Sequence, residues 1–215
     1  MEESFSAVFK QSVSVTAASR TDAGVHALGQ RVCFNVENCR IPTGKLPLIL
    51  NSYLPDDIAV TAIETVGADF NPRYMAKEKK YHYNIWNGKT PNPLIRHTVV
   101  FFPYKMEIGL MREAAKSFEG KHDFAAFRAT GSCVLTTVRD IYECRLDSDG
   151  CLITIIIRGG GFLYNMVRII AGTLVAVGQG KLRPSDIPLI IRSRERSEAG
   201  PTMPAHGLTL VAIKY

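Results

Sequence analysis

The segment Ser19-Arg20-Thr21-Asp22-Ala23-Gly24-Val25-His26 gathers a guanidinium, a carboxylate and an imidazole around one glycine. Gly24 can supply the positive φ of a tight turn between two strands. Asp22 would then be presented outward from a rigid sheet. A carboxyl side chain is ionised at neutral pH without assistance. Held by strand ends rather than by a mobile loop, it suits a nucleophile that carries a covalent intermediate. The same composition also describes an ordinary turn, since Asp and Gly are common turn formers.

Two further segments carry chemistry. In Lys79-Lys80-Tyr81-His82-Tyr83, basic side chains alternate with aromatic rings. Such a segment suits a nucleic acid, with ammonium groups for phosphates and a ring on which a base can stack. Read as structure alone, Tyr81, Tyr83 and Ile85 are the buried face of a strand. In Arg158-Gly159-Gly160-Gly161-Phe162-Leu163-Tyr164-Asn165-Met166-Val167-Arg168, three glycines separate a strand from a helix and permit close backbone approach. Leu163, Met166, Val167, Ile170, Leu174 and Val177 then form an apolar stripe, while Tyr164, Arg168 and Gly172 project on another side. An arginine on so apolar a helix needs a partner, because an unpaired buried charge is costly. Asp22 is the partner that would turn a structural ion pair into a functional one.

These residues require elements to hold them. Residues 3–10 read as the end of a helix, and Val13, Val15 and Ala17 alternate as a strand, as do Val32, Phe34 and Val36. Residues 45–54 read as a short helix, Ile58–Val66 as β-rich, Tyr81–Trp86 as an aromatic strand and Thr98–Phe102 as another strand. A helix over 107–118 stops before Gly120. Ile141–Leu146 and Leu152–Arg158 form a hairpin across Asp147–Gly150. A helix from Phe162 to Val177, a short one near 186–194 and a strand over Leu208–Tyr215 complete the chain. Hairpins and helices segregate along the sequence, so an antiparallel α+β sheet is expected. Neither G-x-G-x-x-G nor G-x-x-x-x-G-K opens a helix.

Composition narrows the classes. The 215 residues hold 26 Lys+Arg against 20 Asp+Glu, a net +6, and 46% are hydrophobic. That is a globular composition with room for a core and a mild preference for an anionic partner. No apolar run reaches the roughly 18–20 residues of a membrane span, the longest being broken by Arg158 and Arg168. The acidic start Met1-Glu2-Glu3 is unlike a secretory signal. Cys33, Cys39, Cys133, Cys144 and Cys151 are odd in number and form no C-x-x-C pair, so buried reduced thiols are expected rather than a disulfide framework or a metal site.

Taken together, the three segments resemble the tRNA pseudouridine synthase A family. Ala18–Ala27 is similar to its signature, Tyr81 looks like its substrate-stacking aromatic, and Gly161–Arg168 looks like its third motif, whose arginine contacts the catalytic aspartate. Asp69–Arg73, His122–Arg128, Ala199–Thr202 and Ala205–Leu208 add to the likeness in the family's order. The resemblance implies an α+β pseudouridine synthase fold of two α/β halves, residues 1–88 with the catalytic aspartate and 89–215. Their antiparallel sheets join, helices pack on them, and a basic cleft binds RNA.

The resemblance also implies an isomerase that converts uridine to pseudouridine in the anticodon stem-loop of tRNA, with no cofactor and no metal. Asp22 becomes the nucleophile, Tyr81 the ring under the uracil, Arg168 the partner of the carboxylate and Arg20 a contact to the displaced RNA. The target base has to leave its stack before it can detach, turn and reattach. An intracellular location is implied without a compartment, and a homodimer is common in bacterial relatives. Family members begin with a strand and part of a helix before the segment that opens here at Glu2. The chain thus resembles a shortened member, similar to the eukaryotic pseudouridylate synthase-like proteins, and an exposed sheet edge is expected. Two other readings stand beside this one: an RNA-binding protein of the same fold that turns nothing over, and a small-molecule enzyme using the Gly159–Gly161 turn for a phosphate.

Overall fold

The computed structural model describes residues 1–131 and 134–215, so Cys133 lies outside the described residues. The chain forms two compact units, one of residues 1–20 and 31–75, the other of residues 21–30 and 76–215.

In the first unit, α1 (Glu2–Phe9) ends at Lys10 in the left-handed region, φ 52°. Strands β1 (Val15–Ala17) and β3 (Val32–Phe34) pair antiparallel with each other. Phe5 of α1, Val13 and Leu50 of α2 (Leu46–Asn51) are the buried core, with Phe34 packed edge-on to Phe5 at 4.8 Å. Ile58–Val66, β-rich by composition, forms no strand. The Asn51 side chain takes up both backbone groups of Val60, accepting from its N–H at 2.7 Å and donating to its carbonyl at 3.0 Å.

The second unit is built on one sheet in the order β2-β9-β4-β8-β7-β6, with β5 on β4. The strands are β2 (His26–Ala27), β4 (Glu78–Trp86), β5 (Val100–Phe101), β6 (Gly120–Asp123), β7 (Val138–Asp149), β8 (Leu152–Gly159) and β9 (Leu208–Lys214). Most pairs are antiparallel, while β2–β9 and β4–β5 are parallel. With α3 (Ile108–Lys116), α4 (Met166–Gly178) and α5 (Ile187–Ser193) the architecture is α+β. β4 and β8 set Tyr81, Tyr83 and Ile85 opposite Ile157, Ile155 and Ile153, and all six are buried. A strand's period of two makes these one face of the sheet. α4 is apolar all round, and every residue of it except Arg168 is buried.

On the other face, alternating charges run across four strands. Lys214 pairs with Glu78, Glu78 with Arg158, Arg158 with Glu143, Glu143 with Arg145 and Arg145 with Asp147. Among the described residues no helix is long and apolar enough to cross a membrane.

The structure departs from the sequence reading in several places. The 76–88 segment groups with the later residues rather than the earlier ones, because β4 pairs with β8 and β9. The β7–β8 hairpin is tighter, with Asp149 opposite Leu152. α4 starts at Met166 rather than Phe162. The short strands β2 and β6 carry no composition signal. Of the four described cysteines, all unpaired, only Cys144 is buried. Cys33 is half-buried, while Cys39 and Cys151 lie exposed in connecting segments.

Candidate active site

Asp22 opens a β-turn. The Val25 N–H donates to the Asp22 carbonyl at 3.1 Å, and Gly24 takes φ +83° at the position that favours glycine in a type II turn. Immediately after, β2 docks parallel to β9, with His26 opposite Thr209, and Leu28 N–H donates to Leu210 O at 2.8 Å. His26 Nε2 lies 2.6 Å from the His97 carbonyl oxygen. The turn is therefore anchored at its C-terminal side by backbone and side-chain bonds alike.

The Arg168 guanidinium meets the turn. Nη1 donates to Asp22 Oδ2 at 2.7 Å and to Asn165 Oδ1 at 2.6 Å, and Nε donates to Met203 O at 2.7 Å. The two charged side chains are 16% (Arg168) and 27% (Asp22) exposed, so the pair is sheltered yet reachable. Asp22 Oδ1 and Arg168 Nη2 make no hydrogen bond within the described residues. One oxygen of the carboxylate is thus committed and the other is open.

The acceptor at Met203 has its own support. The chain over 199–201 crosses α4 at Gly172, where a Cβ would fall 1.9 Å from Pro201 O. Gly200 N–H donates to the buried Thr173 hydroxyl at 2.9 Å, and Arg196 Nη1 donates to the Gly200 carbonyl at 2.9 Å. Tyr83 donates its hydroxyl to Pro204 O at 2.8 Å, and burial holds that hydroxyl protonated well above the usual range. Residues 203–204 therefore strap Arg168 to the central strand.

Tyr81 lies on the same face of β4 as Tyr83, with Phe162 edge-on at 5.1 Å. At 6% exposure it is part of the buried face of the sheet and not a projecting platform. Lys80 sits opposite Arg158 and Ala212 on the reverse face of the sheet, away from Tyr81. Strand alternation separates Lys80 from Tyr81, which the sequence places side by side, while Lys79 shares the face of Tyr81. Arg20 is exposed and belongs to the first unit. Sequence reasoning missed Asn165 and Met203. Asn165 was legible as an asparagine three residues before Arg168, one helical turn away, whereas a backbone carbonyl such as that of Met203 has no sequence signature.

An open carboxylate oxygen at a braced turn and an arginine locking its twin suit carboxylate-based covalent chemistry on an α+β sheet. Comparison with known proteins gives that class a family. A profile described as tRNA pseudouridine synthase matches residues 1–75 and 114–215. The chain is 43% identical over 215 residues to the tRNA pseudouridine synthase A of Caldicellulosiruptor saccharolyticus, covering 100% of this chain and 88% of that protein. It is 45% identical to that of Acetivibrio thermocellus at the same coverage, and 43% identical over 206 residues to that of Bacillus licheniformis, covering 96% of this chain and 83% of that protein. The chain belongs to the tRNA pseudouridine synthase family.

Proposed function

We propose that this protein isomerises uridine to pseudouridine in tRNA, in the anticodon stem-loop, with Asp22 as the nucleophile. The observation that carries the assignment is the asymmetric state of the carboxylate, with Oδ2 held at 2.7 Å by Arg168 and Oδ1 open. The reaction breaks the C1′–N1 bond and forms C1′–C5, while C5 gives up its proton and N1 gains one. A nucleophile must hold a fragment while the base turns over. Addition to C6 of the uracil and attack on C1′ of the ribose both draw on the same open oxygen. Arg168 orients the carboxylate through its bond to Oδ2.

Tyr81, braced edge-on by Phe162, supplies a wall against which the detached uracil rests. Arg20, exposed two residues before Asp22, contacts the displaced RNA. The chemistry asks for no cofactor and no metal. A tRNA substrate implies an intracellular site of action, and a homodimer belongs to the same reading, checked by light scattering against the 23.8 kDa chain mass.

The test is release of tritium from tRNA labelled at uridine C5, followed by mapping of pseudouridine. Wild type should release tritium and place the product in the anticodon arm, whereas Asp22→Ala should bind the RNA and release none. Binding by wild type without any release would favour a non-catalytic RNA-binding protein of this fold. Release that persists in Asp22→Ala would remove the nucleophile assignment.

A further inference from the structure

We propose that Asn165 is a positioning residue, whose side-chain carbonyl keeps Arg168 in a one-handed grip on Asp22 and so keeps the second carboxylate oxygen free. The proposal rests on the reading of Asp22 as the nucleophile.

Asn165 stands at the head of α4 with φ 59° and ψ 6°, a left-handed conformation that asparagine tolerates better than most residues. An asparagine at this position ordinarily accepts a backbone N–H of the first helical turn. Asn165 makes no such capping bond. Its Oδ1 instead accepts Arg168 Nη1 at 2.6 Å. The side chain has been diverted from helix capping to the guanidinium.

That diversion decides how the arginine meets the carboxylate. A guanidinium is a planar fork, and beside a lone carboxylate it favours two parallel bonds that occupy both oxygens. Here Nε is committed to Met203 O, and Nη1 spends one hydrogen on Asn165 and one on Asp22 Oδ2. Without the Asn165 acceptor, the fork can pivot about the Met203 contact and offer Nη2 to Oδ1 as well. The nucleophile would then be correctly placed, but with both oxygens occupied.

Two variants test this. Asn165→Gly keeps the left-handed backbone and loses the acceptor. Its kcat should fall about tenfold, the equivalent of one misdirected hydrogen bond, with KM for tRNA and Tm close to wild type. Asn165→Asp keeps an acceptor and tolerates the backbone but adds a second carboxylate to the same guanidinium. Like charges raise each other's pKa, so the acid limb of its kcat–pH profile should move to higher pH, which loss of a merely structural residue would not cause. Wild-type kcat in Asn165→Gly, or an unmoved acid limb in Asn165→Asp, overturns the proposal. Asp22→Ala in the same assay separates the two levels. If it still forms product, the underlying reading fails; if it is inactive while Asn165→Gly is wild type, only the role of Asn165 falls.

Discussion

Replacing Arg158 by methionine tests how the sheet's outer face holds its charges. Arg158 is the centre of the charge ladder, donating from Nη1 to Glu78 at 2.9 Å and from Nε to Glu143 at 2.5 Å. Its side chain is 30% exposed, against 14% for Glu78 and 25% for Glu143. The pairs lie between two known regimes: about 0.2–1 kcal/mol for an exposed pair, and about 3–5 kcal/mol for a buried pair that loses one partner. Methionine orphans neither carboxylate, since Glu78 keeps Lys214 Nζ at 2.9 Å and Glu143 keeps Arg145 Nε at 2.8 Å. It also keeps an apolar stem over the sheet. The expected loss is about 1–2 kcal/mol, two partly screened charge-assisted bonds. That corresponds to a Tm lower by about 2–8 °C.

The same variant has a pH signature. Glu78 lies below the ordinary carboxylate range through its bond from Lys214 first and from Arg158 second; Glu143 does so through Arg158 first and Arg145 second, with burial opposing in both. A depressed carboxylate contributes stability in full above its unfolded pKa, about 4.3 for Glu. It loses that contribution as the pH falls through the lower folded value. The gap between wild type and Arg158→Met should therefore be full at pH 7.5 and close at acid pH. Trp86, the sole tryptophan, ends β4, so its fluorescence during urea unfolding reports the second unit. A gap unchanged at the acid end would mean that the ionised Glu78 and Glu143 do not carry it. A loss above about 4 kcal/mol at pH 7.5 would mean that a carboxylate had been orphaned after all.

Gly172→Ala should destabilise the second unit by more than about 3 kcal/mol, because the new Cβ would fall 1.9 Å from backbone at Pro201. Soluble yield and Trp86 unfolding read this directly. Tyr83→Phe leaves Pro204 O without its donor; a loss of about 1–2 kcal/mol is expected, with a drop in kcat if the strap positions Arg168 through Met203. Affinity for tRNA should fall as salt rises, since phosphate contacts release counterions; a salt-independent Kd by filter binding would contradict an RNA-binding role for the chain's positive charge.

Much of this architecture was legible from alternation and periodicity. Tyr81, Tyr83 and Ile85 announce the buried face of β4, and the burial of α4 follows from an apolar sequence interrupted by Arg168 alone. The need for a partner at Arg168 was legible too, as a charge on an apolar helix. What escaped was set by contacts distant in sequence. β2 is two residues long and exists because β9 offers it an edge. Lys80 looked like a neighbour of Tyr81 for a nucleic acid, yet pairing with β8 and β9 turns it to the charged face. Ile58–Val66 has strand composition, but a single asparagine side chain satisfies Val60.

The late start of α4 joins these threads. Periodicity alone continues the helix back to Phe162, yet Gly160 N–H donates to Asp140 O at 3.1 Å, tying the incoming chain to β7 instead. A Cβ on Gly159 would sit 2.7 Å from the same carbonyl, so this approach is open only to glycine. Helix formation is thereby postponed until Asn165, whose left-handed backbone makes the turn into α4. Two residues thus left outside the helix reach the sheet and the guanidinium: Phe162 stands against Tyr81, and Asn165 holds Arg168. A helix begun at Phe162 would give Asn165 right-handed backbone and a different direction for its side chain, and Arg168 would lose the acceptor that shares its Nη1 with Asp22. Local helix propensity yields here to tertiary contacts, and the place where it yields is the place where the carboxylate is set.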